Sequence, residues 1–298
     1  MVARILGIIM AVQLAAAGLI WYFLSRVLPL DVALVVAVLI VLVVRMAITA
    51  NNFRLAWRMR SEPPEAHRLD LTGSARLFAQ EYASTLLASS WHMLRHRERL
   101  HIALVPRGVP VLLVHGYGAN GGFWSPLGAL LERERISHAT VSLEPMTASI
   151  DDYAQQIDHA VQALRAATGA EKIVIVAHSM GGLVSRAYLR RHGAAHIARV
   201  ITLGTPHHGT GLASFGIGSN AQQMRLSAVW LSQLEADDRE QRRLFTSIYS
   251  YHDNIIAPQS SCHLPGAKNI ALGGIGHVAL GSHPTVMQRV VAEILAIP

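Results

Sequence analysis

Three residues of this chain have the types, surroundings and order needed for nucleophilic acyl chemistry. Residues 174–183 read VIVAHSMGGL. An apolar run leads into Ser179, and Met180, Gly181 and Gly182 follow at once. A serine between a strand and a helix sits on a sharp corner with its Oγ held out above the sheet. Small residues are needed two before and two after it, because the strand and helix backbones pass close together there. Ala177 and Gly181 fill those positions. A serine hydroxyl is a poor nucleophile until a base takes its proton. The chain order that accompanies such a corner is serine, then acid, then histidine. Asp253 follows the strand-like SIYSYH, and His277 lies in GIGHVAL after KNIALGG. His277 is therefore the candidate base. Asp253 is the candidate acid that holds its tautomer and stabilises the imidazolium.

Acyl transfer also needs donors for the developing oxyanion. The N–H of Met180, directly after the serine, is one candidate. The other is the N–H of Tyr117, in the loop HGYG that follows VLLV. Losing such a donor typically lowers the rate by about 10²–10³. His115 reads as a structural residue that holds this loop by hydrogen bonds. His283 starts the final helix and lies too far along to be the base. Asp237 and Asp238 sit in a polar helical stretch and read as solvated.

From His101 onward, strand-like runs alternate with amphipathic helical stretches. Strands are expected at 109–116, 138–143, 172–177, 198–204, 247–252 and 268–274. Helices are expected at 122–135, 149–168, 179–191 and 284–297. Ser149 with Asp152 three residues on is a helix-capping pair. Such alternation predicts a mostly parallel sheet covered by helices on both faces. Ser179, Asp253 and His277 then all fall at the carboxyl rim of the sheet, where sites in open α/β sheets lie.

The amino-terminal part has a different character. The chain of 298 residues is 51% hydrophobic, with a mean hydropathy of +0.32, and the excess sits at one end. Residues 5–24 carry Gln13 as their one strongly polar member, and residues 32–44 are wholly apolar. Pro29 and Asp31 lie in the connector and suit a tight turn between two spans. Arg4, the apolar stretch and Ala15–Ala17 also resemble a signal peptide. The apolar character continues past that point and then repeats, which favours a transmembrane helical hairpin. Arg4 before the first run, and Arg45, Arg54, Arg58 and Arg60 in and after the second, place both ends in the cytoplasm by the positive-inside rule.

Net charge is +7, and ten arginines against five acids lie between Arg45 and Arg107. Beside a membrane span these are assigned to anionic head groups rather than nucleic acid. Ser61 to Glu65, with two prolines, ends the helix leaving the second span. Thr72 or Ser74 then caps an amphipathic helix running to about Arg97. The single cysteine, Cys262, excludes an internal disulfide.

Together, VHGYGAN, AHSMGGL, LGTPHHG, HDNIIAP and GIGHVAL resemble the α/β-hydrolase superfamily, and within it bacterial triacylglycerol lipases and related esterases. The resemblance runs from about residue 109 to the C-terminus. It implies an α/β-hydrolase fold after the membrane hairpin and no cofactor. His207 and His208 have no spaced acidic or cysteine partner for a metal and read as structural. The resemblance also implies a cap-like insertion at about 209–244, where Met224, Trp230, Leu231 and Leu234 are candidate acyl-pocket residues. Phe123 and Trp124, beside the oxyanion loop, are further candidates. The expected organisation is a membrane anchor at 1–50, an Arg-rich linker and helix at 51–104, and a catalytic domain at 105–298. The expected function is a serine hydrolase of carboxylic esters, of lipids in particular. Its expected place is the bacterial inner (cytoplasmic) membrane, multi-pass, with the catalytic domain on the cytoplasmic side. An acyltransferase or thioesterase would use the same machinery, and a non-catalytic binding protein could carry the same fold.

Overall fold

The computed structural model describes residues 1–96 and 98–297. It opens with two helices, α1 (Val2–Leu24) and α2 (Leu30–Trp57). At about 1.5 Å per residue each exceeds the roughly 30 Å of a hydrocarbon core. Their most apolar 18-residue windows have mean hydropathies of 2.0 and 2.9, and only 0% and 17% of those windows is buried by protein. Most of the apolar side chains therefore face outward. The helices form a hairpin, with Pro29 as the N-cap of α2 and Asp31 in its first turn.

The boundary expected at residue 50 falls inside α2, which continues unbroken to Trp57. Arg45 does not interrupt it. Its guanidinium donates to Ser89, Ser90 and Gln13 on neighbouring elements, so the charged group is covered by partners.

Next comes α3 (Leu71–Leu87). Asp70 caps it, rather than Thr72 or Ser74. Asp70 has an extended backbone and accepts from the Gly73 N–H at 2.7 Å, while Thr72 and Ser74 already lie within the helix. A π-turn over Ala88–His92 follows, so the regular helix stops short of the expected end near Arg97, which lies outside the described residues. The Tyr82 hydroxyl donates to the Leu42 carbonyl of α2 at 2.7 Å, and Phe78 packs on Phe53. The linker helix thus lies against the second apolar helix.

The α/β part that follows contains β1 (Leu100–His101), β2 (Val111–Val114), α4 (Ser125–Arg133), β3 (His138–Val141), α5 (Ile150–Thr168) and β4 (Ile173–His178). Then follow α6 (Met180–His192), β5 (Ile197–Leu203), α7 (Ser219–Gln223), α8 (Val229–Asp237), β6 (Phe245–Ser250), β7 (Lys268–Leu272) and α9 (Pro284–Leu295). The seven strands are ordered β1-β3-β2-β4-β5-β6-β7. Among the described residues, only β1 runs antiparallel to its neighbour. At two residues, β1 is too short to leave a pattern in the sequence. The helix expected at 122–135 begins as a 3-10 turn over Gly121–Trp124 before α4.

Alternation along buried strands sends successive side chains to opposite faces. Leu112, Val114, Ile173 and Ile175 meet α5 and α6 through Tyr153, Ile157, Leu183 and Val184. Val111, Leu113, Val174 and Val176 meet α4 and α9 through Leu127, Leu131, Val286 and Val290. Each such side chain, fully buried, contributes about 1.5–3 kcal/mol. The Ser149–Asp152 capping box starts α5 as expected.

Asp238 is not solvated. It is 1% exposed and accepts from Arg186 at 2.5 and 3.2 Å and from Arg242 at 2.8 Å. Its polar sequence neighbours conceal this, because Arg186 stands 52 residues away. Asp237 does remain exposed.

Candidate active site

Strand β4 ends at His178, and α6 begins at Met180, so a single residue makes the turn. That residue, Ser179, has φ 55° and ψ −126°, a region L-residues rarely occupy. The surrounding structure holds it there. Its N–H donates to the Leu203 carbonyl at 2.9 Å, and its carbonyl accepts from Thr205 Oγ1 at 2.9 Å. Both bonds use the backbone and none uses the hydroxyl. A Cβ at Gly181 would lie 2.6 Å from the Val114 carbonyl oxygen, so only glycine lets α6 start this close to β2.

Asp253 follows β6 by three residues, and His277 follows β7 by five. Both chains therefore leave the sheet at the edge where β4 delivers Ser179. His277 Nδ1 lies 2.7 Å from Asp253 Oδ2. Asp253 Oδ1 accepts from the N–H groups of Ile255 and Ile256 at 2.8 and 2.7 Å, so the carboxylate cannot rotate freely. The His277 N–H donates to Asn254 Oδ1 at 2.9 Å. With Nδ1–H given to the carboxylate, the lone pair of His277 stays on Nε2.

Burial alone would pull the His277 imidazole down. The charge and hydrogen bond of Asp253, with help from Glu81, outweigh burial and raise it above its ordinary value. A base works only when unprotonated. The acid limb of kcat/KM should therefore have its midpoint above about 6.5, measured on any ester the protein cleaves. A midpoint at or below the ordinary imidazole value would count against His277 as the base.

His178, which the sequence reading left without a role, lies between these parts. It packs on the Phe123 ring at 4.3 Å and on the His277 ring at 4.5 Å. Its Nε2 donates to the His277 carbonyl at 3.0 Å. Burial holds it well below the ordinary histidine range, so it is a neutral ring that backs the imidazole of His277. His115 accepts the Leu143 N–H on Nε2 at 2.9 Å and donates from Nδ1 to the Gly116 carbonyl at 2.8 Å. Burial pulls its pKa down to about 4. A neutral ring bonded in this way holds the loop that carries Tyr117.

Among the described residues, the N–H groups of Tyr117 and Met180 have no backbone acceptor. The Tyr117 ring reaches the insertion, where its hydroxyl donates to the Ile217 carbonyl at 2.9 Å. The candidate acyl-pocket residues are largely packed into the two cores. Met224, Leu231 and Leu234 are buried in the core with α5 and α6. Trp124 is 1% exposed in the opposite core, beside Phe123. Trp230 donates to Asp151 at 2.8 Å. His207 bonds Thr202, and His208 bonds the His263 carbonyl. His283 caps α9.

One participant was not anticipated. Glu81 of α3 is 1% exposed, and its carboxylate accepts from the N–H groups of Val278 and Ala279 at 3.0 and 2.9 Å. A signal existed, since Glu81 stands one turn after Leu77 on the buried face of α3. A cavity of about 500 Å³ is walled by Phe53, Trp57, Leu77 and Phe78 on the helical side and reaches Asp253.

Residues 109–264 match the model of the alpha/beta hydrolase fold family, just over half of the chain. The chain belongs to the α/β-hydrolase fold family. It is similar to a triacylglycerol lipase of Pseudarthrobacter phenanthrenivorans, 32% identical over 114 residues, which are 36% of this chain and 35% of that protein. A triacylglycerol lipase of Burkholderia plantarii is likewise 32% identical over 114 residues, 36% of this chain and 32% of that one. The match thus spans about a third of each curated relative. A mature Bacillus licheniformis lipase shares the hydrolase fold with a TM-score of 0.59 at 17% identity, over 67% of this chain and 98% of that one. Aspergillus fumigatus lipase B does so with a TM-score of 0.54 at 18% identity, over 63% of this chain and 54% of that one.

Proposed function

We propose that this protein is a membrane-anchored serine hydrolase that cleaves carboxylic esters of lipids through an acyl-enzyme. The observation that carries the reading is the Asp253–His277 contact at the sheet edge where Ser179 is held on its strained corner. His277 Nε2 takes the Ser179 proton as Oγ attacks the ester carbonyl. The N–H groups of Met180 and Tyr117 receive the oxyanion. His277 then protonates the leaving alcohol, and the C–O bond to it breaks. Water, activated by the same Nε2, releases the acid and restores the hydroxyl.

The lipid part of the reading rests on two features besides the relatives. The outward apolar faces of α1 and α2 suit a bilayer. Phe215 and Ile217, 70% and 66% exposed, sit on the segment bonded to Tyr117 and suit an acyl-rich surface. On this reading both ends of the hairpin and the domain face the cytoplasm, set by the flanking arginines.

A fluorophosphonate probe should label the wild type and not Ser179→Ala. With p-nitrophenyl esters, medium and long acyl chains should be preferred. Absence of Ser179-dependent labelling would sink the hydrolase reading, and a strict preference for acetyl esters would sink the lipid part alone.

A further inference from the structure

We infer that Glu81, delivered from the linker helix α3, is a positioning residue for the base of the proposed reaction. Its carboxylate bridges the N–H groups of Val278 and Ala279, the two residues directly after His277. Through them it sets the height and pitch of the loop that presents the imidazole. The inference rests on the hydrolase reading and adds to it a part outside the family-matched segment, which begins at residue 109.

Three observations converge on it. Both carboxylate oxygens are used, one for each N–H, and 197 and 198 residues of sequence separate the partners. A Cβ at Gly276 would lie 2.5 Å from Glu81 Oε2, so the residue preceding His277 has been kept free of a side chain and the loop lies directly on the carboxylate. The next residue on the helix, Tyr82, is bonded to Leu42 of α2. Neighbouring residues of α3 thus hold the apolar hairpin and the histidine loop. The hairpin positions α3, and α3 positions the base.

The charged groups facing Glu81 are His277, on the loop it holds, and Asp253, on the loop after β6. Burial pushes the Glu81 carboxyl up, while the two N–H bonds and His277 oppose that shift. Two N–H donors, one for each oxygen, are best met by the ionised form. A negative charge there favours the imidazolium, and its loss must lower the pKa of His277. Sequence-distant packing alone would not do this.

The test compares wild type, E81Q and E81D in detergent or vesicles as full-length chains. Rates are normalised to the sites that a fluorophosphonate labels. If the wild type does not label, the hydrolase reading falls and this inference falls with it. If it labels, E81Q should keep KM within about twofold and lose about tenfold in kcat. Its acid limb should move down by about half to one pH unit, the scale of one screened charge nearby. E81D keeps the charge on a shorter arm, so its limb should stay near the wild-type position while kcat falls. An unmoved limb in E81Q would overturn the inference and leave the hydrolase reading intact. Should E81Q fail to fold, E81D decides, because a carboxylate drawn back by one methylene cannot hold both N–H groups. Wild-type kcat in E81D would then overturn the inference.

Discussion

Replacing Ser179 with alanine should lower kcat for ester hydrolysis by about a millionfold while leaving the protein folded. The oxygen that must form the acyl bond is gone, and the nearby Thr205 hydroxyl is committed to the carbonyl of residue 179. What survives is the residual effect of the oxyanion donors and of binding, about 10³–10⁴ over water. The backbone should persist, because its ties run from the Ser179 N–H to Leu203 and from Thr205 to the Ser179 carbonyl. Alanine inherits the strain of φ 55° and ψ −126°, a conformation of the kind that costs about 1–3 kcal/mol. Ser179→Gly removes that strain at the expense of a more flexible unfolded chain. It should therefore melt at or above the temperature of Ser179→Ala and be equally inactive. Kinetics with thermal melts on both variants checks this. Activity within a hundredfold of wild type in either would exclude Ser179 as the nucleophile.

The second large effect belongs to Asp253→Asn, for which a loss of about 10⁴ in kcat is expected. The side chain keeps its shape, so the reason is the proton. Asp253 Oδ1 accepts from both Ile255 and Ile256, and the asparagine carbonyl must stay there. Its amide nitrogen then faces His277 Nδ1, replacing an acceptor with a donor across a contact of 2.7 Å. His277 responds by accepting on Nδ1 and carrying its proton on Nε2, where it can no longer deprotonate Ser179. Melting temperature should change much less than rate. A pH-rate profile with active-site titration is the check. A loss below tenfold would mean that Asp253 does not orient the base.

The corner at Ser179 was legible because it is local. Strand β4, one turning residue and α6 are contiguous, and the steric demand for small residues leaves a mark within five positions. The meeting of Asp253 and His277 was legible because each follows a strand-like run, and parallel strands end at one edge. The two long apolar helices were equally plain from hydropathy. The limits of α3 were less so, since Asp70 lies outside the periodic segment it caps. Asp238 misled because composition reports only neighbours in sequence, whereas its arginine arrives from α6. Met224, Trp230 and Leu234 could be read from the sequence equally as an acyl wall or as core, because apolar residues at helical spacing look the same in both. Their packing against α5 and α6 is a matter of three-dimensional layering.

By itself, then, the sequence determined the alternating α/β plan, the two apolar helices, the corner at Ser179 and the nearness of Asp253 to His277, since each depends on local sterics or on strand polarity. The tertiary structure alone decided which side chains fill the core, how His178 packs against the base, and that Glu81 of the linker helix grips the histidine loop. Those depend on contacts between segments far apart in the chain, and a buried carboxylate on a helix becomes meaningful only when the two N–H groups it holds are known.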